Sequence, residues 1–557
     1  MSLPVDGGQA ESAPGATGTG SGLGRPTALM AGGTLLSRVT GLLRLLIAAY
    51  ALGNNHLSDA FNLANTTPNI VHDLVLGGVL SATFVPQFVN RLATRSREEA
   101  VESISAVVTL SCAVLLVATV AFLVAAPWII KLYISSSAHE AAERSVATNL
   151  LRLFAIQLLA YGALSLMGAV LNTVRRFVLV AYAAVLNNLV AIAVLLEFAR
   201  IAGRKPSLAS VQHDHGLLLL LGLGTSAGVL VQAIALLPAV MRSGLRLHFV
   251  WKPRDPAIRE IFSLSGWTLG FVLANQVAVI VILRIAFGLG MSRVTEYTYA
   301  FQFFQLPFGI IGVSVLSTVV PELAYRYSTN DLDEMAHQFG LGLRRTMAGI
   351  LPASAGYLLL AGPLIALMLH HGAYNAAGSR ETGQLLALFA VGLPGYCVYL
   401  LCISALQAMR DTRTAFFLYL FENGVNIILA VFLTHHIGAR GLPLSLSIAY
   451  SGAAVAALLV VRSRMGGLGG SSLRRYLARS LLLTLVMTGV VAIVTTAVGS
   501  SGSFSGLLLR VAAGAGAGVA TYGVAAGLAG TVSGWQTARR RRVTAGKGTH
   551  GFDPSGH

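Results

Sequence analysis

The chain has 557 residues, of which 55% are hydrophobic and only 11% are charged, and its formal net charge is +17. A soluble protein carries roughly a quarter of charged residues, so this depletion excludes a soluble globular chain. In a soluble protein the positive charge would suggest a nucleic-acid partner. Here the charges fall in short segments between apolar runs, and no nucleic acid is expected.

The apolar runs predict about fourteen transmembrane helices, because each can supply the roughly 20 helical residues that cross a bilayer. Only helices and closed barrels satisfy their backbone hydrogen bonds in lipid, and no ladder of short alternating segments is present. We therefore predict an all-α polytopic membrane protein. The predicted spans are 27–52, 66–90, 103–134, 147–172, 178–199, 216–241, 259–288, 295–323, 342–369, 383–409, 414–434, 441–461, 476–499 and 504–533.

Basic residues cluster in alternate loops, and this sets the expected orientation. The positive-inside rule assigns these loops to the cytoplasm, so both termini should be cytoplasmic and the membrane should be the bacterial inner membrane. Residues 1–25, rich in Gly, Ser, Ala and Thr, are predicted to form a disordered cytoplasmic tail rather than a signal peptide. Residues 538–557 are predicted to form a basic cytoplasmic tail.

Ionisable side chains inside the predicted spans are candidates for function, because a charge at bilayer depth costs a few kcal/mol. The first span carries Arg38 and Arg44, and Arg44 lies more than two turns inside on a stripe of small residues. We expect this stripe to face the bundle interior. The alternative for both arginines is that they snorkel to the headgroups.

The second span is too polar for full exposure to lipid. Asn69, His72 and Asp73 lie within one turn of each other, and Pro68 is expected to bend or break the helix and free carbonyls toward a cavity. The alternative is that His72 and Asp73 form an interior pair that does not touch substrate.

Three later spans add five further candidate residues. Arg284 lies near the periplasmic end of the seventh span and could snorkel outward, and Gln302 and Gln305 share a stripe of the eighth span, interrupted by Pro307. In the eleventh span, Glu422 and Asn426 could form a small cation site or a protonatable carrier, or simply a hydrogen-bonded helix contact.

The polar positions are concentrated in the first two spans of each half, which suggests two pseudo-equivalent halves with a site between them. Metal clusters, nucleophile constellations and phosphate-binding loops are not found in the sequence. An enzyme is therefore not expected, and no cofactor, catalytic residue or metal site is predicted.

The sequence resembles the MviN/MurJ family of lipid II flippases, within the multidrug/oligosaccharidyl-lipid/polysaccharide exporter superfamily. The resemblance follows family order and spacing over most of the chain. Its segments are SRVTGLLR (37–44), SDAF near the end of the first span (58–61), TPNIVHDLVLGGVLSATFVP (67–86), AAPWII (125–130), GAVLNTVRRF (168–177), FFQLPFGIIGVSVLSTVVPELA (303–324), ALQAMRDTRT (405–414) and GARGLPLSLSIAY (438–450).

The resemblance implies two six-helix lobes arranged in a V, an N-lobe at 26–247 and a C-lobe at 248–465, followed by two helices at 466–537 that form a groove for the undecaprenyl tail. It also implies a cationic cavity for the pyrophosphate and sugar head group. Arg38 and Arg44 match arginines of that cavity, and Asp59 matches the acid of the DAF element. A diphosphate needs such cationic partners to cross hydrocarbon.

The cavity departs from the family pattern at several positions. His72 and Asp73 stand where the family often has an arginine pair, Gln302 replaces a cavity arginine and Gln305 a nearby acid. An acid of the seventh span that is often linked to sodium binding is absent. Arg284 is a hypothetical compensating cation.

The function implied is flipping of lipid II from the cytoplasmic to the periplasmic leaflet by alternating access, with a monovalent cation as a candidate coupling ion. Three alternatives stay open: export of another undecaprenyl-linked glycan, cation-coupled drug antiport, and a non-transporting scaffold of the wall-synthesis machinery.

Overall fold

The computed structural model describes residues 24–73, 96–134, 140–173, 176–203, 206–244, 248–253, 266–468, 470–499 and 502–528. These residues are almost entirely helical and contain no strand, as predicted. The helices are α1 (Gly24–Leu52), α2 (His56–His72), α3 (Arg97–Tyr133), α4 (Ala141–Thr173), α5 (Phe177–Ala202), α6 (Leu208–His213), α7 (His215–Met241), α8 (Gly266–Gly288), α9 (Arg293–Pro307), α10 (Val313–Ser328), α11 (Leu332–Leu369), α12 (Ala376–Ala408), α13 (Thr412–Ile437), α14 (Gly441–Arg464), α15 (Gly470–Ala497) and α16 (Phe504–Leu528).

Twelve of the described segments are long and apolar enough to cross a membrane. One of them, 412–464, holds both α13 and α14, which meet at the short turn Gly438–Arg440 and pack against each other. The predicted second span is described only up to residue 73, so its outer part lies outside the described residues. The same applies to Arg91, Arg95 and Arg175, which belong to the basic loops that set the predicted orientation, and to both predicted tails apart from residues 24 and 25.

Helix α2 begins ten residues before the predicted second span, and the prediction that residues 58–61 lie near the end of the first span is wrong. The cause is a capping box, in which the Asn55 side chain accepts hydrogen bonds from the N–H groups of Leu57 (2.8 Å) and Ser58 (3.2 Å). The helix also continues through Pro68, which the surrounding helices bury.

Helices α9 and α10 form one continuous segment that changes its helical geometry after Pro307. A π-helical turn, Phe308–Gly312, joins the two helices. Proline removes a backbone donor and favours such a widened turn. The interruption predicted for the eighth span is therefore confirmed.

Most helix contacts fall within two groups, here called the first lobe (α1 to α7) and the second lobe (α8 to α14). In the first lobe, α5 packs on α1 and α7, and α4 packs on α2, α3 and α7. In the second, α12 packs on α9, α11 and α14. Helices α15 and α16 pack on each other and on α11. The domain boundaries given above stay predictions.

Candidate functional site between the lobes

A polar cluster, formed by α1, α2 and α4, surrounds Arg44. The Arg44 side chain is half-buried, and Tyr161 of α4 lies close enough to interact with it electrostatically. The Tyr161 hydroxyl interacts with the Asn69 side chain and also lies near Asp73. Within the described part of the chain, Arg44 forms no ion pair, so its charge is available to an anion.

His72 and Asp73 face each other and connect α2 to both lobes. His72 Nδ1 lies 3.4 Å from Asp73 Oδ1, and His72 Nε2 lies 3.0 Å from the Ser165 hydroxyl of α4. Asp73 Oδ2 accepts a hydrogen bond of 3.0 Å from Gln276 Nε2, on α8. Because Gln276 is only 2% exposed, this bond is a buried link between the first and second lobes.

Arg38 and the two glutamines of α9 lie in different surroundings. Arg38 is exposed, and its guanidinium lies 3.9 Å from the point where a Cβ on Gly309 would be, beside the π-helical turn. Gln302 is exposed, whereas Gln305 is half-buried and its side chain interacts with Tyr396 inside the second lobe. Arg38 therefore faces the second lobe, and Gln305 is held within it.

Asp59 lies in a contact between the lobes at the end of the bundle predicted to be periplasmic. Its carboxylate accepts hydrogen bonds from the backbone N–H (2.9 Å) and hydroxyl (2.6 Å) of Thr295, in the first turn of α9. Asn62 donates a further bond of 3.1 Å to the Thr295 hydroxyl. Since Ser292, the N-cap of α9, makes no side-chain cap bond, α2 caps α9 across the lobe boundary.

A second contact at the same end joins the α1–α2 turn to the α11–α12 turn. The Ala373 N–H donates to the Tyr50 carbonyl at 2.9 Å. The Asn54 side chain accepts from the Asn375 N–H (3.0 Å) and donates to the Asn375 side chain (3.2 Å). A Cβ on Gly53, whose φ is +72°, would lie 2.5 Å from the Ala373 carbonyl oxygen. The lobes are thus closed together at this end.

Arg284 forms a third contact between the lobes. Its guanidinium donates to the carbonyls of Leu132 (2.9 Å) and Lys131 (3.4 Å) at the C-terminal end of α3. Cations stabilise this end of a helix, where carbonyls lack intrahelical partners. The structure therefore places Arg284 against α3 and not in the cluster around Arg44.

Glu422 and Asn426 border a separate small cavity inside the second lobe. The cavity has a volume of about 40 Å³ and is lined on its polar side by Asn275, Asn423, Glu422 and Asn426. Glu422 is 3% exposed and forms no hydrogen bond or ion pair with the described residues. Asn426 accepts a bond of 3.0 Å from the Ser445 hydroxyl. A space of this size holds a few waters or a small ion.

Sequence reasoning missed the contribution of α4 to the site. Tyr161 and Ser165 are four residues apart and therefore lie on one face of that helix, which faces Arg44 and His72. This spacing was the only signal available. The partner role of Gln276 had none, because it depends on how the two lobes meet.

Comparison with known proteins places the chain among transporters of one family. Residues 48–512 match the family described as "Lipid II flippase MurJ". A "Probable lipid II flippase MurJ" from Rhizobium meliloti is 28% identical over 418 residues, which are 74% of this chain and 76% of the relative. The "Lipid II flippase MurJ" from Burkholderia cenocepacia is 25% identical over 431 residues, 75% of this chain and 80% of the relative.

Solved structures share the fold. The structure of "Lipid II flippase MurJ, inward closed conformation" superposes with a TM-score of 0.73 at 19% identity, covering 90% of this chain and 99% of the other. An inward-facing multidrug resistance MATE family transporter of the MOP superfamily gives a TM-score of 0.64 at 15% identity, covering 78% and 96%. The predicted fold class is confirmed.

Proposed function

This chain belongs to the lipid II flippase MurJ family, and on that basis we propose that it moves lipid II from the cytoplasmic to the outer leaflet by alternating access. It is a multi-pass membrane protein. The family match extends from the end of α1 into α16 and therefore includes both lobes and the contacts between them.

The position of Arg44 is the observation that carries the chemistry of this proposal. The pyrophosphate of lipid II needs a cation that is desolvated enough to bind it strongly but is not neutralised by a carboxylate. Arg44 is half-buried beside Tyr161 and Asn69 and has no ion pair among the described residues. In the proposal, Arg44 binds the diphosphate, while Arg38 attracts the head group from the lobe boundary.

The contacts between the lobes support the alternating-access step. Asp59, Asn54 and Arg284 each join the first lobe to the second, so the end at which they lie is sealed in this conformation. Transport requires a second state in which these bonds break and the opposite end closes. In the proposal the protein lies in the bacterial inner membrane, with the sealed end facing the periplasm. Both termini then lie in the cytoplasm, in accord with the charges of the loops.

The departures from the family pattern bear on which head group is carried. The relatives are named for lipid II, so another undecaprenyl-linked glycan is the less favoured cargo. In the proposal His72 and Asn69 contact the head group near Arg44, Asp73 borders the same space through Gln276 and His72, and Gln302 lies along the path of the head group. Gln305 is the weakest of these candidates, because Tyr396 already engages it.

Flipping of fluorescent lipid II in proteoliposomes tests the proposal, with Arg44→Ala compared with wild type. Arg200→Ala is the matched control, because Arg200 is an exposed arginine paired with Glu197 (2.6 Å) outside the site. We expect Arg44→Ala to lose flipping by about tenfold or more and Arg200→Ala to retain it. Correctly folded wild type that flips another undecaprenyl-linked glycan but not lipid II would contradict the proposal.

We also propose that the cavity beside Glu422 is where the transport cycle is coupled to a proton or a monovalent cation. A buried carboxylate without a hydrogen-bond partner is a costly arrangement, and a bound proton or cation would neutralise it. Glu422 and Asn426 would provide the oxygens. Because α13 packs on α8, which carries Gln276, occupancy of the cavity could be transmitted to the lobe boundary.

A further inference from the structure

The two lobes are packed on the same plan, so the membrane-spanning helices of one have counterparts in the other. Helices α1, α2, α3, α4, α5 and α7 correspond in chain order to α8, α9, α11, α12, α13 and α14. Their main contacts match pair by pair: α1–α5 with α8–α13, α5–α7 with α13–α14, α4–α7 with α12–α14, α2–α4 with α9–α12, and α3–α4 with α11–α12. Repeats of this kind place pseudo-equivalent residues at matching positions of the two halves.

Helices α5 and α13 are counterparts of equal length, with 26 residues each. Asn187 and Asn188 are the eleventh and twelfth residues of α5, and Glu422 and Asn423 are the eleventh and twelfth residues of α13. Glu422 therefore occupies the position that Asn187 has in the first lobe, and Asn423 occupies that of Asn188. The second lobe carries an acid where the first carries an amide.

The first lobe shows what this position needs for packing alone. The Asn188 side chain donates to the Ser37 carbonyl (3.2 Å) and to the Thr40 hydroxyl (3.1 Å), both on α1. Asn187 lies against α7, because a Cβ on Gly228 would be 2.5 Å from the Asn187 side-chain oxygen. Neutral side chains thus join α5 to α1 and α7 at these positions. An ionisable group is not required to hold the three helices together.

In the second lobe the same place is a cavity beside an acid. The cavity lies between α13 and the counterparts of α1 and α7, since Asn275 of α8 and Tyr450 of α14 line it together with Glu422 and Asn423. Glu422 is the single acidic residue of α8, α13 and α14. Its carboxyl group is therefore an addition to the plan shared by the lobes, and we looked for a ligand that would account for it.

The charge of a Glu422 carboxylate would have no counterpart in the described part of the chain. The titratable groups that interact with Glu422 electrostatically are tyrosines, which are neutral near pH 7: Tyr297 of α9, Tyr396 and Tyr399 of α12, Tyr419 of α13 and Tyr450 of α14. A buried carboxylate without a cation is far more costly than the neutral acid, and such groups take up a proton instead.

A bound metal cation suits the cavity less well than a proton does. Hard cations are held by several oxygen ligands, whereas the Asn426 oxygen already accepts a hydrogen bond of 3.0 Å from the Ser445 hydroxyl. Most of the remaining wall is apolar and is formed by Ala278, Val279, Ile282, Leu283, Phe301 and Leu446. A protonated Glu422 needs no further ligand, because it is neutral.

We infer that Glu422 is the ionisable one of two pseudo-equivalent positions and that its cavity takes up one proton per chain, whereas the first lobe takes up none at Asn187. The inference rests on the coupling proposed above and names its ion as the proton and not sodium. Uptake converts the carboxylate to a neutral acid with a proton from water, and release reverses the step. Since only the second lobe changes its charge, it alone responds to a proton gradient.

Infrared spectroscopy of the full chain in lipid vesicles, without lipid II, tests the inference, because a protonated carboxyl group has a carbonyl band of its own. The test variant, Glu422→Asn, gives the second lobe the amide of the first. We expect wild type to show one more protonated carboxyl per chain than this variant. The excess should fall as the pH rises and stay unchanged when sodium chloride replaces choline chloride.

Glu197→Gln is the matched control, because it removes an exposed glutamate of α5 that is paired with Arg200 at 2.6 Å. Its spectrum should keep the excess over Glu422→Asn. An absent excess in wild type would show that Glu422 is ionised and would overturn the inference. An excess that disappears in sodium chloride at constant pH would also overturn it, since sodium would then be the ligand.

The melting temperature tests the equivalence of the two positions. Glu422→Asn should melt no lower than wild type, because the first lobe packs with asparagine at the same place. A large decrease would contradict the equivalence, and Glu422→Gln would then supply the infrared comparison. Because no lipid II is present, a wild type that shows the excess but does not flip lipid II would contradict the proposed function alone.

Discussion

The Asp59 carboxylate, on α2, accepts hydrogen bonds from both the backbone N–H and the hydroxyl of Thr295, on α9, at 2.9 and 2.6 Å. One lobe thus supplies the N-terminal cap of a helix in the other. The cap exists only while the lobes are closed at this end, and opening would expose a carboxylate and the first amides of α9. Asp59 therefore stabilises the closed conformation, independently of any contact with substrate.

We therefore predict that Asp59→Ala opens this end of the protein. Loss of a helix cap and of a charge-assisted hydrogen bond costs about 2 kcal/mol, and Asp59→Asn should have a smaller effect because its amide oxygen still accepts. Spin labels at Arg200→Cys and Arg440→Cys, both exposed and on opposite lobes, would report a longer distance. Exposed Cys112 is replaced for this measurement.

The contrary result is equally informative. If Asp59→Ala lowers lipid II affinity while the distance between the labels stays unchanged, Asp59 acts through the substrate, as the family resemblance implies. The closed conformation would then depend on the other contacts between the lobes.

Variants of Asp73 and Gln276 separate the effect of the Asp73 charge from that of the hydrogen bond that joins the lobes. Asp73→Asn keeps an oxygen that can accept from Gln276 but removes a negative charge from the surroundings of Tyr161, which also interacts with Arg44. Because a carboxylate repels a diphosphate, we expect this variant to bind lipid II more tightly, by about threefold to tenfold. Gln276→Leu keeps the charge and removes the bridge, so it should open the lobes without this gain in affinity. Equilibrium binding of fluorescent lipid II measures both variants.

If Asp73→Asn weakens binding instead, the carboxylate contacts the sugar or peptide part of the head group as an acceptor. The pair would then help to select the cargo, and the argument from charge repulsion would be wrong.

Gly53 provides a test of the backbone contact between the lobes. Alanine there must adopt φ near +72° and place its Cβ 2.5 Å from the Ala373 carbonyl oxygen. Gly203 is the matched control, because its φ is +78° but a Cβ would have open space. We expect the backbone strain of about 1–2 kcal/mol in both variants, but a longer distance between the spin labels only in Gly53→Ala. Equal effects would show that Gly53 is needed for its φ alone.

The fold was largely readable from the sequence, whereas the contacts between its parts were not. Long apolar runs and the alternation of basic loops predicted the helices, because the bilayer fixes their length and the loops carry the charge. The start of α2 was misplaced because the capping box at Asn55 is polar and adds no hydropathy. Asp59 and Arg284 carry no local sign that one caps α9 and the other α3.

The candidate site, too, was predictable from the sequence only in part. Arg44 stood out because a charge deep within a span is rare. Tyr161 and Ser165 are ordinary residues of an apolar helix, and only the packing of α4 on α2 brings them to His72. Gln276 was visible as a polar residue of its span, but its bond to Asp73 joins residues 203 positions apart, and no local pattern encodes that separation.

The cavity at Glu422 leads to the last prediction, which concerns coupling. Glu422→Gln preserves the shape of the side chain but can no longer exchange a proton or neutralise a cation, so flipping should lose its dependence on the ion gradient. Asn426→Asp is the complementary change, since it adds a carboxylate to the same cavity and should strengthen cation binding while slowing release. Lipid II flipping in proteoliposomes, under imposed sodium or proton gradients, distinguishes the two ions. A Glu422→Gln variant that responds to both gradients like wild type would place the coupling elsewhere and leave Glu422 as a packing residue of the second lobe.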